Sequence, residues 1–336
     1  MARGAFWRYV GMNGGRLVAA LATLSLLTAT GLAGCTREGR GSPAAADSRS
    51  AATIRIGYLP ILHSLSLAAA KEALGPELEL VRFSSWPELT DALDSGQIQG
   101  AVTMLELALV GKEKGFPLKV TALSHREGNT LVARKGISSV AELKGRTVAI
   151  PHRLSVHNIL LHLALSKVGL QDEDVKKVEM APPDMMAALA RGEIDAYVVA
   201  EPFAAAAVVQ GVGSPLLRDQ DIWPDSPCCG LVLREEFIKG NPAAASRLVS
   251  ALVKGGRLLD RDRAQAQALA ERYLGQKKEM LQESLPWVSY SDLTPRADEL
   301  QKLQGYLLEL GLVKTPVAVS DLIDDRYAKQ AYESLK

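Results

Sequence analysis

From residue 53 onward the spacing of apolar positions lays out a repeating plan. Thr53-Ile54-Arg55-Ile56-Gly57 alternates polar with apolar and stops at Gly, which is a strand signature. Tyr58 to Leu62 reads as a loop. His63 to Leu74 is rich in Leu and Ala, and Gly75-Pro76 ends it, so a helix is expected there. Arg146 to Pro151 is again a strand ending in a breaker, and Ser155 can cap a helix that runs to Gly169. A shift of 94 places Ile56 on Ile150, His63 on His157, Ser64 on Asn158, Leu67 on Leu161 and Gly75 on Gly169. A second echo, shifted by 96, sets Ala92-Leu93, Gly96, Ile98 and Val102 on Ala188-Leu189, Gly192, Ile194 and Val198. The third, shifted by 100, pairs Leu131-Val132-Ala133-Arg134 with Leu231-Val232-Leu233-Arg234.

Three echoes in order, at nearly constant offset, argue for two lobes built on one plan. Strands alternating with helices imply α/β lobes, each a small sheet layered with helices. The two Leu-Val-x-Arg segments suit hinge strands, the first entering lobe II and the second returning to lobe I. Asn241-Pro242 opens a mostly helical stretch to Lys336, which should pack back on lobe I and brace the hinge. The expected division is a leader at 1–34, a flexible tether at 35–52, lobe I at 53–133 plus 234–336, and lobe II at 134–233.

The leader has its own pattern. Arg3, Arg8 and Arg16 precede an apolar run from Leu17 to Leu27, too short to span a bilayer comfortably. It ends in Leu32-Ala33-Gly34-Cys35, which resembles the bacterial lipoprotein signal. The resemblance implies cleavage before Cys35, acylation of that residue and a firm anchor outside the cytoplasm. The alternative is an uncleaved amino-terminal membrane helix. Thr36 to Ala52 is Gly, Ser, Ala and Pro with scattered charge, a tether composition. Composition adds little: 47% apolar and 23% charged residues befit a globular protein. There are 39 basic and 38 acidic residues, and removing the three leader arginines leaves a slight acidic excess. A nucleic-acid partner, which needs a large basic surface, is excluded.

The chain resembles the periplasmic binding proteins of the nitrate, sulfonate, taurine and thiamine-precursor import family. The residues that carry this are Ile56-Gly57-Tyr58, the Ala92-Leu93-x-x-Gly96-x-Ile98-x-Gly100 segment and Val140-x-x-Leu143-Lys144-Gly145-Arg146-x-Val148-Ala149. Gly192-x-Ile194-Asp195-Ala196 with Glu201-Pro202-Phe203 continues it. The resemblance covers roughly residues 53 to 325. It implies a type II two-lobed fold, each lobe a small mixed sheet with helices on both faces. It also implies closure on a small solute and docking on an ABC permease with its ATPase, with no catalysis and no cofactor.

Open α/β sheets bind ligands beyond the carboxyl ends of their strands. The candidate ligand-binding residues there are Tyr58, His63, Ser64, Ser85, Trp86, Thr103, His125, His152, Ser155, His157, Asn158, Asp184 and Glu201. His63-Ser64 and His157-Asn158 each open a helix, one per lobe, where free N–H groups and the helix dipole favour an anion or polar oxygen. Trp86 serves either as an apolar wall or as a staple for the helix beginning at Pro87. Glu201 can accept from a ligand amine or hold a loop, and in the family it is commonly near the ligand. His162 reads as structural. Zinc fails on the His157/His162 pair, because five positions separate them and a helical zinc pair prefers four, so no metal is expected. Cys228-Cys229 is either a strained disulfide or two buried thiols acting as small apolar residues. Some thiamine-precursor relatives carry cysteine runs nearby, which makes a site role thinkable.

Three functions compete: a transport receptor, a sensor presenting solute to a membrane receptor, and an enzyme on the same fold. No Gly-x-Ser-x-Gly nucleophile motif occurs, and a lipobox does not suit the cytoplasmic dehydratase relatives.

Overall fold

The computed structural model describes residues 53–335; the expected leader, tether and acylated Cys35 lie outside them. The first part of the chain runs β1 (Ile54–Tyr58), α1 (Leu65–Leu74), β2 (Leu78–Arg82), α2 (Trp86–Asp94), β3 (Gly100–Met104), α3 (Leu105–Glu113) and β4 (Leu118–Leu123). A short strand β5 (Arg126–Glu127) leads into β6 (Asn129–Arg134), β7 (Thr147–Ile150), α4 (Val156–Lys167), β8 (Lys176–Glu179), α5 (Pro182–Arg191), β9 (Ala196–Ala200), α6 (Phe203–Val209), β10 (Gly213–Arg218) and α7 (Asp219–Ile222). The return passes through β11 (Cys229–Arg234) to α8 (Glu235–Gly240), α9 (Pro242–Arg261), α10 (Arg263–Leu269), α11 (Lys278–Ser284), β12 (Val288–Ser289), α12 (Ala297–Glu309), α13 (Val319–Leu322) and α14 (Arg326–Glu333).

Two five-stranded sheets result, ordered β2-β1-β3-β11-β4 and β8-β7-β9-β6-β10. The orders are the same position by position. In each, the first three strands are parallel and the fourth runs antiparallel. That fourth strand is the one that arrives from the other lobe. The repeats at 94 and 96 therefore map β1 on β7 and β3 on β9, while the repeat at 100 maps the two inserted strands on each other. The chain changes sheet between Leu123 and Asn129, and again between Arg218 and Cys229. Both points precede the expected boundaries at 133/134 and 233/234, because each Leu-Val-x-Arg strand belongs whole to the sheet it enters.

The second sheet is covered on both faces. Along β9, Ala196, Val198 and Ala200 join one apolar cluster while Tyr197 and Val199 join another. Along β7, Val148 and Ile150 face one way and Ala149 the other. Successive side chains of a strand point to opposite faces, so a continuous apolar run is what a doubly covered strand requires. Each such side chain taken fully from water contributes about 1.5–3 kcal/mol for Val or Leu.

Helix ends follow local chemistry. The expected cap is present: Ser155 Oγ accepts the Asn158 N–H at 3.4 Å. Ser85 caps α2 in the same way, and Gly192 ends α5 in the left-handed region. The expected first helix differs, since His63 and Ser64 lie in a 3-10 turn, Leu62–Ser64, and the α-helix starts only at Leu65. The C-terminal helices pack as expected: α9 lies on α1, and α14 lies on α9 and β4. In addition, α11 reaches α6 and α12 reaches α4, so this region touches both lobes. Among the described residues no helix is long and apolar enough to cross a membrane.

Candidate functional site

The carboxyl ends of both sheets face a common zone where the lobes meet. Its outer part is a cavity of about 400 Å³, lined from lobe I by Leu59, Ile61, Arg82 and Phe83 and from lobe II by Pro182 and Phe203. The size and the mainly apolar walls match small-molecule sites. The lobes also meet through the backbone, where the Leu62 N–H donates to the Glu201 carbonyl at 3.0 Å.

The inner part is built on the two chain crossings. β11 begins at Cys229 and is held on β3 and β4, with Cys229 opposite Met104. The Ser124 N–H donates to the Cys229 carbonyl at 3.0 Å, which brings the end of β4 against the start of β11. Gly230 permits this approach, since a Cβ there would lie 2.8 Å from the Ala122 carbonyl oxygen. Gly128, at φ +91°, lets the first crossing turn against the loop after β1. The outcome is a fully buried group of four: His63, His125, Cys228 and Cys229. One ligand atom from each lies within 4.8 Å of all the others. His63 Nδ1 is 3.6 Å from Cys228 Sγ and 3.8 Å from Cys229 Sγ, and the two sulfurs are 3.6 Å apart. Both thiols are free, so of the two readings of the cysteine pair the structure shows the unbridged one. The His63 and His125 rings stack with centroids 3.5 Å apart and planes 18° apart.

Burial governs the protonation of this group. It lowers His63 and His157 to about 3 and His125 well below its ordinary value, so all three rings are neutral. It also pushes the Cys228 thiol up, with Cys229 adding to the effect. Several buried polar atoms around the group have no protein partner: Ser64 Oγ, Thr103 Oγ1, Ser124 Oγ, both His157 ring nitrogens and the Glu106 carboxyl. Glu106 faces the Val156 N–H at the start of α4 but meets no partner at hydrogen-bonding geometry, and burial pushes its carboxyl up to about 8. Each unsatisfied buried group costs about 1–3 kcal/mol, and such a concentration marks a site built for something other than core packing.

The structure distributes the sequence candidates unevenly. His63, Ser64, Thr103, His125 and His157 belong to the buried zone just described. Glu201 is buried and locally tied: Thr130 Oγ1 donates to Oε1 at 3.1 Å and the Ala205 N–H to Oε2 at 3.0 Å. Of the two readings of Glu201, the geometry supplies the one in which it holds a loop. Asn158 departs from its expected role, because its Nδ2 donates to the Arg153 carbonyl and its Oδ1 accepts from Lys177. With both ends of the amide engaged, the helix-start grip cannot use Asn158 as it stands. Ser155 and Ser85 act as caps. Tyr58 donates its hydroxyl to the Tyr273 carbonyl. Trp86 and His152 meet in a smaller side pocket between α2, α3 and the loop before α4. Asp184 is exposed on the first turn of α5. His162 lies apart, with Nδ1 3.4 Å from Asp172. Glu106, Cys228 and Cys229 are the residues absent from the candidate set that the fold brings in.

Two lobes of identical strand order, each contributing loops to a central cavity, define the type II solute-binding class. The chain belongs to the NMT1-like family, whose model matches residues 47–274. It is 36% identical to the ligand-binding component of an ABC-type import system from Staphylococcus aureus, solved with zinc bound, at a TM-score of 0.79 over 83% of this chain and 98% of that one. The nitrate-binding protein NrtA from Synechocystis PCC 6803 superposes at a TM-score of 0.74 with 17% identity, over 85% of this chain and 90% of that one, a likeness of fold. The same fold carries an enzyme, the desulfurization enzyme DSZB, at a TM-score of 0.64 with 16% identity, over 84% of this chain and 100% of that one. The nitrate import ATP-binding protein NrtC of Synechococcus elongatus is 32% identical over 251 residues, which are 66% of this chain and 38% of that protein. The chain thus spans well under half the length of that relative.

Proposed function

We propose that this chain is the extracytoplasmic solute-binding component of an ABC importer. It closes its lobes on a small solute with an anionic or strongly polar oxygen group and an apolar body, then docks on a permease served by an ATPase. A lipid on Cys35 holds it outside the cytoplasm, in the periplasm or at the outer face of the cytoplasmic membrane. The observation that carries the reading is the cavity shared by both lobes, with apolar walls at Ile61, Phe83 and Phe203 and with Arg82 and Ser84 beside them. Capture between lobes couples binding to a shape change that a transporter can sense. The import-system component from Staphylococcus aureus supports the role, and the relatives named for nitrate support a compact anion.

The test is a thermal-shift screen of the full chain against small anions, sulfonates, amino-sulfonates and pyrimidines. A ligand that binds only the folded state at a hundredfold excess over Kd raises stability by about 2.7 kcal/mol. A hit should also shrink the radius seen by small-angle scattering. A screen without any hit, or an unchanged radius at proven saturation, overturns the reading.

A further inference from the structure

We propose that His63, His125, Cys228 and Cys229 form a binding site for a thiophilic transition-metal ion of the zinc class. This rests on the geometry of the four residues and stands apart from the solute reading above.

Ligand spacing is the first ground. A tetrahedral zinc ion takes sulfur at ~2.3 Å and imidazole nitrogen at ~2.0–2.1 Å, which sets the sulfur–sulfur edge at about 3.75 Å and the nitrogen–sulfur edge at about 3.5 Å. The observed edges are 3.6 Å between the sulfurs, and 3.6 and 3.8 Å from His63 Nδ1 to each. Three atoms thus already sit near the face of one coordination tetrahedron.

The orientation of the imidazoles is the second ground. His63 Nε2 faces the Gly128 carbonyl at 3.1 Å, and His125 Nδ1 faces the Glu127 carbonyl at 2.8 Å. A carbonyl oxygen only accepts, so in each ring that nitrogen carries the proton. The lone pairs are therefore on His63 Nδ1, which faces both sulfurs, and on His125 Nε2, which faces the Cys229 backbone. Metal-binding histidines are characteristically held this way, with the distal N–H given to a carbonyl or carboxylate. His125 Nε2 already behaves as an acceptor, taking the Cys229 N–H at 3.3 Å.

Donor chemistry selects the ion. Two sulfurs and two imidazoles favour zinc or a similarly soft metal over magnesium or calcium, which require oxygen. Two thiolates also cancel a divalent charge, so the filled site is neutral where an isolated charge would be costly. With four protein ligands no coordination position stays open, so the site holds the ion itself and does not activate water. Its ligands come from the loop after β1, the outward crossing and the inward crossing. The ion therefore pins both crossings to lobe I. A disulfide is the competing use of the pair, but its bond length is about 2.05 Å and these sulfurs are 3.6 Å apart and free.

The experiment uses the full chain, stripped with a chelator and titrated with cobalt(II) as a spectroscopic probe and with zinc(II). One equivalent of cobalt should give thiolate-to-metal charge-transfer absorption and the intense visible bands of a tetrahedral site. Zinc should displace it and raise Tm. The double variant Cys228→Ser/Cys229→Ser should lose the charge-transfer band and weaken zinc binding by more than the ~100-fold that outer-shell changes cost. His63→Gln should reduce the affinity while keeping a thiolate band, and His162→Ala should match wild type. A wild-type protein without the thiolate band overturns the proposal, and so does a folded double-serine variant that binds zinc as wild type does. If the double variant fails to fold, the wild-type cobalt spectrum decides alone, since the band reports thiolate ligation directly.

Discussion

Replacing Glu201 by Gln should stabilise the protein at alkaline pH and leave it nearly unchanged at acid pH. Glu201 directly follows β9 where the two lobes touch, and its side chain is almost wholly out of solvent. Burial is the main reason its carboxyl is pushed up to about 7; Asp219 adds to the rise, while the Ala205 N–H, Thr130 and Arg218 oppose it. An acid whose pKa is higher folded than unfolded binds more protons in the native state. Stability then falls as pH rises from the unfolded value near 4.5 through 7, and stays at the lower level above that. A shift of about 2.5 units is worth about 3 kcal/mol. Glutamine is never charged, and it can accept the Ala205 N–H with its oxygen while its amide donates to the Thr130 hydroxyl. Urea unfolding at pH 5 and pH 8 measures the difference between variant and wild type. That difference should grow by roughly 2–3 kcal/mol in favour of Gln across the interval. Asp219 and Glu106 are also raised by burial, but they titrate in both proteins and cancel from the comparison. A difference that stays flat from pH 5 to pH 8 would refute the argument that the carboxyl is neutral when buried.

Arg126 is a buried cation at the outward crossing, donating to Glu299 and to the Asp292 carbonyl. Arg126→Met should cost about 1–3 kcal/mol in urea unfolding, because it leaves the Asp292 and Thr294 carbonyls without their charged donor while Glu299 keeps its pair with Arg296. Gly230→Ala should cost about 1–3 kcal/mol, because the new methyl meets the Ala122 carbonyl oxygen at 2.8 Å and the Leu105 side chain at 3.0 Å. Equal unfolding midpoints for that variant and wild type would show that β4 and β11 can part at little cost. Cys35→Ser should leave an unlipidated precursor, read by intact mass and membrane fractionation; a wild-type mass and full membrane retention would refute the lipoprotein reading.

The doubled architecture is legible in the chain because it depends on local order. Apolar runs closed by breakers, the Ser155 cap and the Gly192 stop each act within a few residues, and their repetition at nearly constant offset implies two sheets of one plan. The hinge strands are legible as an echo of four residues, although their sheet membership, and so the lobe boundaries, depends on partners far away in sequence. Side-chain roles are decided at longer range. Asn158 looks free at a helix start until β8 places Lys177 against its oxygen. In the sequence, His157 and His162 are the only histidine pair that one helix could present together, and their spacing of five does not suit zinc. The cluster that forms instead joins His63 to Cys229 across 166 positions. No periodicity or spacing rule reaches that far. The two chain crossings bring those residues together, and burial then removes the solvent that would otherwise keep four polar side chains apart.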